Sequence, residues 1–263
     1  MPVTVNTNVF SLNAQRGIAR TQGNLQTAMQ RLSSGLRINQ AKDDAAGLAV
    51  GMLQDAQARG FAVAQRTIGD GMSALQVADN SLRTMDGIVQ RMRELEVQYT
   101  SGTYSTTQQG MMSVEFGQLN TELAAAAGRA KFNGLSVFGG MTSVTIQAGA
   151  NDGDVVTVVV NDFSAFSAGG GAIGGGLSAL DTNLQSIATE LANIGAYQSR
   201  LEKAMDSAMS MEEAQRASYG RVMDADFARE TMNMTSAQVI QQAGISALGQ
   251  ANTIPQLALG LLG

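Results

Sequence analysis

The sequence of 263 residues contains no cysteine, no histidine and no tryptophan, and only two prolines. Without cysteine there is no disulfide framework and no thiolate nucleophile. Without histidine the commonest general base and metal ligand is missing, and a His-ligated zinc site cannot be built. A serine with a lysine base, or a pair of carboxylates, stays formally open. Neither a nucleophile elbow nor a phosphate-binding loop is there to support such chemistry. The chain is expected not to be an enzyme and to carry no metal or cofactor.

Charge is also scarce. Charged residues make up 15% of the chain, with 17 basic against 22 acidic and a net charge of −5. Lysine is confined to Lys42, Lys131 and Lys203. A nucleic-acid phosphate backbone would find no basic stripe here. No run approaches the about 18 consecutive apolar residues of a membrane-spanning helix. The start, Met1-Pro2-Val3-Thr4-Val5-Asn6, lacks the basic flank and apolar stretch of a cleavable signal. Neither nucleic-acid binding nor membrane insertion is expected. With 44% hydrophobic residues the chain also lies outside the low-hydrophobicity, high-charge class that stays disordered.

Helical periodicity fills most of the sequence. From Leu177 the apolar positions Leu180, Leu184, Ile187, Leu191 and Ile194 step by three and four, and the register resumes after Gln198 at Leu201, Met205 and Ala208. Such a sustained 3.5-residue repeat is the coiled-coil signature. Leu75, Ala78, Leu82, Met85, Val89 and Met92 repeat it, as do Met112, Phe116, Leu119, Leu123 and Ala126. Near the N-terminus Ile18, Leu25, Met29, Leu32 and Leu36 hold the same register. Near the C-terminus Ile240, Ala243, Ala247, Ala251 and Ile254 form a seam of mostly small residues, and the chain beyond it is apolar almost to Gly263. Termini normally fray unless something holds them. Apolar stripes at both ends therefore predict burial against each other and against other molecules.

The middle differs in composition. Phe132-Asn133-Gly134 reads as the stop of the third helical region, with glycine as its C-terminal signal. Val144 to Ile146 and Val155 to Val160 read as short strands, with Asn151-Asp152-Gly153 as the turn between them. The glycine-dense stretch Ser167 to Gly176 has no following lysine and no βαβ unit before it, so it reads as a linker and not as a phosphate cradle. The fold expected is mainly α, with long coiled-coil helices and a small β-hairpin insert.

Several runs carry a resemblance. Arg31-Leu32-Ser33-Ser34-Gly35-Leu36-Arg37-Ile38-Asn39, followed by Ala41-Lys42-Asp43-Asp44-Ala45-Ala46-Gly47-Leu48-Ala49, closely resembles the N-terminal signature of bacterial flagellin. Gln90 to Leu95, Ile146 to Gly153, Asp224 to Ala228 and Gln238 to Gly244 agree with the family in the same order. The resemblance spans the chain except about Phe163 to Gly176, and roughly 35 residues, 141–175, join the two halves. A short flagellin without large outer domains is implied.

The resemblance implies discontinuous domains built from both halves. Residues 1–40 with 223–263 would form the inner coiled coil of a filament, 41–140 with 176–222 an outer helical rod, and 141–175 a short β-hairpin and glycine-rich connection. It implies an extracellular structural subunit that is exported unfolded and polymerises for motility. The implied polymerisation arms carry Phe10, Ile18, Leu25, Met29, Leu32, Leu36, Ile240, Ala243, Ala247, Ala251, Ile254 and Leu257. The implied partners are copies of itself, the flagellar export apparatus, a flagellin export chaperone, and filament cap and hook-junction proteins. An innate immune receptor is a further implied partner, contacted through Arg91, Leu95 and Glu115. The alternatives are a hook-filament junction protein and a soluble coiled-coil binding module.

Overall fold

A computed structural model of the chain describes residues 7–141, 143–163 and 172–260, with side chains in the last helix described as far as Thr253. In chain order it contains α1 (Val9–Ser34), α2 (Ala45–Tyr99), α3 (Thr106–Arg129), β1 (Lys131–Phe132), β2 (Leu135–Ser136), β3 (Ser143–Gln147), β4 (Val155–Val159), α4 (Leu177–Met223) and α5 (Phe227–Gly260). The chain divides into two compact units, residues 1–56 with 215–263 and residues 57–214.

The 57–214 unit is built on the heptads. Leu75, Ala78, Leu82, Met85, Val89 and Met92 of α2 are all buried, as are Phe116, Leu123 and Ala126 of α3. On α4 the seam alternates between buried Leu180, Ile187, Ile194, Leu201 and Ala208 and half-buried Leu184, Leu191 and Met205, all in one hydrophobic cluster. The helix α3 starts with a reciprocal cap, in which the Ser105 side chain accepts the Gln108 N–H and the Gln108 side chain accepts the Ser105 N–H.

The Asn133-Gly134 pair has a role other than the one its position suggested. Helix α3 already ends at Arg129, and Asn133-Gly134 is the two-residue turn of the hairpin that pairs Phe132 with Leu135. Both turn residues are left-handed, with φ of 50° at Asn133 and 81° at Gly134. Two positive φ values are what this tight hairpin turn demands, and Asn-Gly meets them at least cost.

The second hairpin lies where the valine pattern predicted it, with β3 and β4 antiparallel from Ser143↔Val159 to Gln147↔Val155. Ile146, Val156 and Val158 point into the core. Two glycines of α2 make room for it: a β-carbon at Gly60 would stand 2.8 Å from that of Ala150, and one at Gly71 would collide with Ile146. Between them the Thr67 hydroxyl donates to the Gln147 carbonyl at 2.7 Å. Beyond β4, Phe163 packs edge-to-face on Phe138 with centroids 5.6 Å apart.

Two buried carboxylates flank the glycine-rich stretch. Glu190 of α4 accepts the backbone N–H of Asn161 at 3.2 Å and its side-chain amide at 2.5 Å. Glu96 of α2 accepts the N–H groups of Gly174 at 2.8 Å and Gly176 at 3.1 Å. These two glycines sit at φ of 95° and 96°, just before α4 begins. Residues 167–171 of the expected linker lie outside the described residues. The remainder does cradle an anion, and the anion is the chain's own carboxylate.

In the other unit α1 is capped at its start by the Asn8 side chain, which accepts the Ser11 N–H at 3.1 Å. Its end is fixed by Gly35, whose left-handed φ of 72° lets its N–H reach Arg31 O at 2.9 Å. The chain then locks onto the bend before α5: Arg37 N–H donates to Met223 O at 2.6 Å and Ala225 N–H to Gly35 O at 2.9 Å. The Arg37 guanidinium adds a bond to Val222 O at 2.6 Å. Gly51 accepts Met223 against its backbone, and Gln54 donates to the Ser218 hydroxyl at 2.8 Å.

Candidate assembly surface on the terminal helices

Helices α1 and α5 pair antiparallel along their length. Three contacts fix the register: the Asn8 amide donates to Ala251 O at 2.9 Å, Ile18 covers Gly244, and Arg31 Nη1 meets Glu230 Oε1 at 3.0 Å. On α1 the covered face runs through Ile18, Thr21, Leu25, Ala28 and Leu32, with Thr21 and Ala28 buried. On α5 it runs through Glu230, Met234, Ala237, Gln241, Gly244, Leu248 and Ala251. That stripe is displaced from the small-residue seam read from sequence, with which, among the described residues, it shares only Ala251. Glycine and alanine at 244, 237 and 251 supply the close approach, while Ile240, Ala243 and Ala247 stay uncovered.

The seam is partly polar. Glu230 is buried at 7% exposure, bonded to Arg31 and to the Asn233 amide at 3.3 Å. A polar groove of about 490 Å³ opens there, lined by Thr21, Asn24, Thr27, Arg31, Glu230 and Asn233 among others. Arg31 Nε lies buried in the seam without a hydrogen-bond partner.

Outside the seam both helices remain apolar. Val9, Phe10, Leu12 and Met29 of α1 are exposed, Phe10 by 61% and Met29 by 54%. On α5, Phe227, Met232, Val239, Ile240 and Ile245 are each more than half exposed. At 3.6 residues per turn, Met232 and Val239 project opposite Glu230 and Ala237, while Phe227, Ile240 and Ile245 lie on the flanks. Helix α5 thus carries large apolar side chains on the sides away from α1, among polar residues such as Arg229, Gln238 and Gln242. Of the implied arm residues, Ile18, Leu25, Leu32, Leu36 and Ala251 are half-buried and Phe10, Met29, Ile240, Ala243 and Ala247 exposed; the side chains of Ile254 and Leu257 lie outside the described residues.

The other implied contact residues are in the 57–214 unit. Two nitrogens of Arg91 converge on Oε1 of Glu115 at 2.9 and 2.7 Å, and Nη1 also reaches Glu94 at 3.0 Å. The hydrogen bond that Arg91 donates to Glu115, then that to Glu94, raises the guanidinium pKa above its ordinary value. Leu95 is only 1% exposed, so it packs beneath this surface and does not form part of it. Among the described residues no group of three acidic side chains is placed to hold a metal ion, and no helix is long and apolar enough to cross a membrane.

Comparison with known proteins assigns the fold. The family model of the bacterial flagellin N-terminal helical region matches residues 5–143, and that of the C-terminal helical region matches residues 177–262. The chain belongs to the bacterial flagellin family. It is 36% identical to the flagellin of Halalkalibacterium halodurans over 98% of this chain and 99% of that protein. It is 32% identical to the flagellar filament 33 kDa core protein of Treponema phagedenis, again over 98% and 99% of the two chains. The crystal structure of Bacillus cereus flagellin superimposes with a TM-score of 0.50 at 28% identity, covering 54% of this chain and 88% of that one. As a flagellin the chain is a structural protein and not an enzyme, a subunit that assembles with copies of itself into the extracellular flagellar filament.

Proposed function

We propose that α1 and α5 are the arms through which this subunit joins its neighbours, with residues 1–40 and 223–263 forming the coiled-coil core of the filament. The observation that carries the reading is the set of large apolar side chains on α5, Phe227, Met232, Val239, Ile240 and Ile245, that α1 leaves uncovered. Exposed apolar patches of this kind mark interaction sites, and α1 covers only one side of this helix. The remaining sides need further helices, and copies of the same pair supply them. Burial at ~25 cal/mol per Å² of apolar surface over so long a helix offsets the entropy of ordering it. A contact of this kind between unlike faces does not close on itself, so it grows as a helix of subunits.

Passage through the flagellar export apparatus in an unfolded state, in the care of an export chaperone, suits a chain with no disulfide and two prolines. Incorporation would then occur under the filament cap, beyond the hook-junction proteins. Arg91 and Glu115, supported from beneath by Leu95, form the patch we assign to an innate immune receptor.

Deletion of residues 1–40 tests the arms. Salt-induced assembly followed by electron microscopy is expected to show long filaments for the full chain and none for the shortened one. Circular dichroism of the shortened chain should retain the helicity of the 57–214 unit. Filaments formed by the shortened chain overturn the reading.

A further inference from the structure

Of the side chains that oxidants attack, methionine is here the abundant one. With no Cys, His or Trp and 15 Met, peroxide chemistry is concentrated on thioethers. The structure sorts these by environment. Met85 and Met92 have no exposed surface, and Met223 has 4%. Met29 and Met232 are 54% and 64% exposed, and one lies on each arm. Met29 borders the α1–α5 seam beside Ala28. Met232 projects from the side of α5 away from α1, where it lines a shallow, mostly apolar groove with Phe227, Ala228, Thr231 and Thr235.

We propose that Met29 and Met232 form a reversible oxidation site through which peroxide stops free subunits from assembling; this rests on the reading of α1 and α5 as arms. In the step a sulfur lone pair attacks one oxygen of hydrogen peroxide. The O–O bond breaks, an S–O bond forms, and the proton of the attacked oxygen passes to the departing hydroxide, which leaves as water. Sulfur loses two electrons and the peroxide gains them. The product, methionine sulfoxide, is a polar group with a strong acceptor oxygen. An apolar face of a neighbouring arm offers that oxygen no donor, so burying it there carries the cost of an unsatisfied polar group. Met85 and Met92 are shielded, so the 57–214 core keeps its packing while the arms lose their complementarity. Assembly covers the two sulfurs, so the site acts on free subunits and spares finished filament.

The test uses the full-length chain. Monomers are treated with hydrogen peroxide, sulfoxide at each Met is read by peptide mass spectrometry, and polymerisation is followed by light scattering and electron microscopy beside the M29L/M232L variant. Leucine keeps volume and apolarity. For the natural chain, the subunit concentration needed for assembly is expected to rise about tenfold or more once both sites are oxidised. Incubation with methionine sulfoxide reductase and a thiol should then restore it. Under the same dose the double variant should assemble at its untreated level, although Met52, Met111, Met209 and Met211 carry sulfoxide. A second variant, M29Q/M232Q, imitates the polarity of the sulfoxides and is expected to assemble poorly without peroxide. Equal inhibition of natural and M29L/M232L chains overturns the proposal, as does undiminished assembly of subunits oxidised at both sites. Failure of the untreated natural chain to assemble overturns the reading of the arms themselves.

Discussion

Ile18 of α1 lies so close over Gly244 of α5 that a β-carbon on residue 244 would stand 2.9 Å from Ile18 Cγ1. Real β-carbons do not tolerate that separation, so the two helices meet at a point where one supplies bulk and the other supplies none. Gly244→Leu should push the arms apart at mid-seam. The expected outcome is a loss of about 1–3 kcal/mol in the pairing of α1 with α5, despite the gain in helix propensity on replacing glycine. Thermal unfolding read by circular dichroism would show an early transition confined to the terminal helices. A single transition unchanged from that of the natural chain would mean that Ile18 turns aside at no cost.

Glu96 makes a second sharp case. Its buried carboxylate receives two backbone N–H groups from left-handed glycines, so Glu96→Gln would set an amide NH2 against one of these donors. The loss expected is about 2–3 kcal/mol, larger than for any exposed carboxylate on the same helix. Urea denaturation gives the magnitude, and hydrogen exchange at the Gly174 and Gly176 amides gives the place. Faster exchange there, with Val89 and Met92 amides still protected, is the expected pattern.

The Arg91–Glu115 pair should behave in the opposite way. Both side chains are about half exposed, and solvent screens such pairs until they add little to stability. Arg91→Ala is expected to leave the unfolding midpoint unchanged at physiological salt. Its raised pKa, due first to the Glu115 hydrogen bond and then to Glu94, fixes the sign of any pH effect. A raised folded-state value adds stability below the unfolded value and loses it only as pH climbs through the folded one, so the guanidinium stays charged from acid to neutral pH. Receptor signalling is the sensitive readout: exchanging the two residues, R91E/E115R, preserves the bridge but should abolish the response. Full signalling by the exchanged pair would dissociate these residues from recognition.

The heptads of α2, α3 and α4 were legible because a 3.5-residue repeat records which side chains face a partner, and the bundle buries those same residues. The β3–β4 hairpin was legible from its valines and turn residues. Asn133-Gly134 misled because glycine marks both a helix stop and a hairpin turn, and only the pairing of Phe132 with Leu135 distinguishes them. On α5 the periodicity could not select the covered face, since apolar residues occur on all sides. Gly244 and Ala237 won because α1 needs close approach, and Glu230 joined them because Arg31 stands opposite. Glu96 did leave a signal: it continues the three-four spacing of Val89 and Met92 into a core position, where an acidic residue needs a partner. Nothing in the sequence says that two glycines about eighty residues onward provide it.

The junction between residues 35–37 and 222–225 has a consequence for how the two chain ends find each other. Asn8 and Ala251 are separated by 243 positions in sequence, and bringing such distant residues together would ordinarily carry the loop-closure entropy of a long chain. The bonds of Gly35 and Arg37 to Met223, Ala225 and Val222 close that loop at the base of the arms. From there α1 and α5 are two limbs of one hairpin, each held at high effective concentration by the other. They can zip outward from a fixed register, with Arg31–Glu230 joining first and Asn8–Ala251 last, so the outermost turns are the final part of the subunit to find their partner.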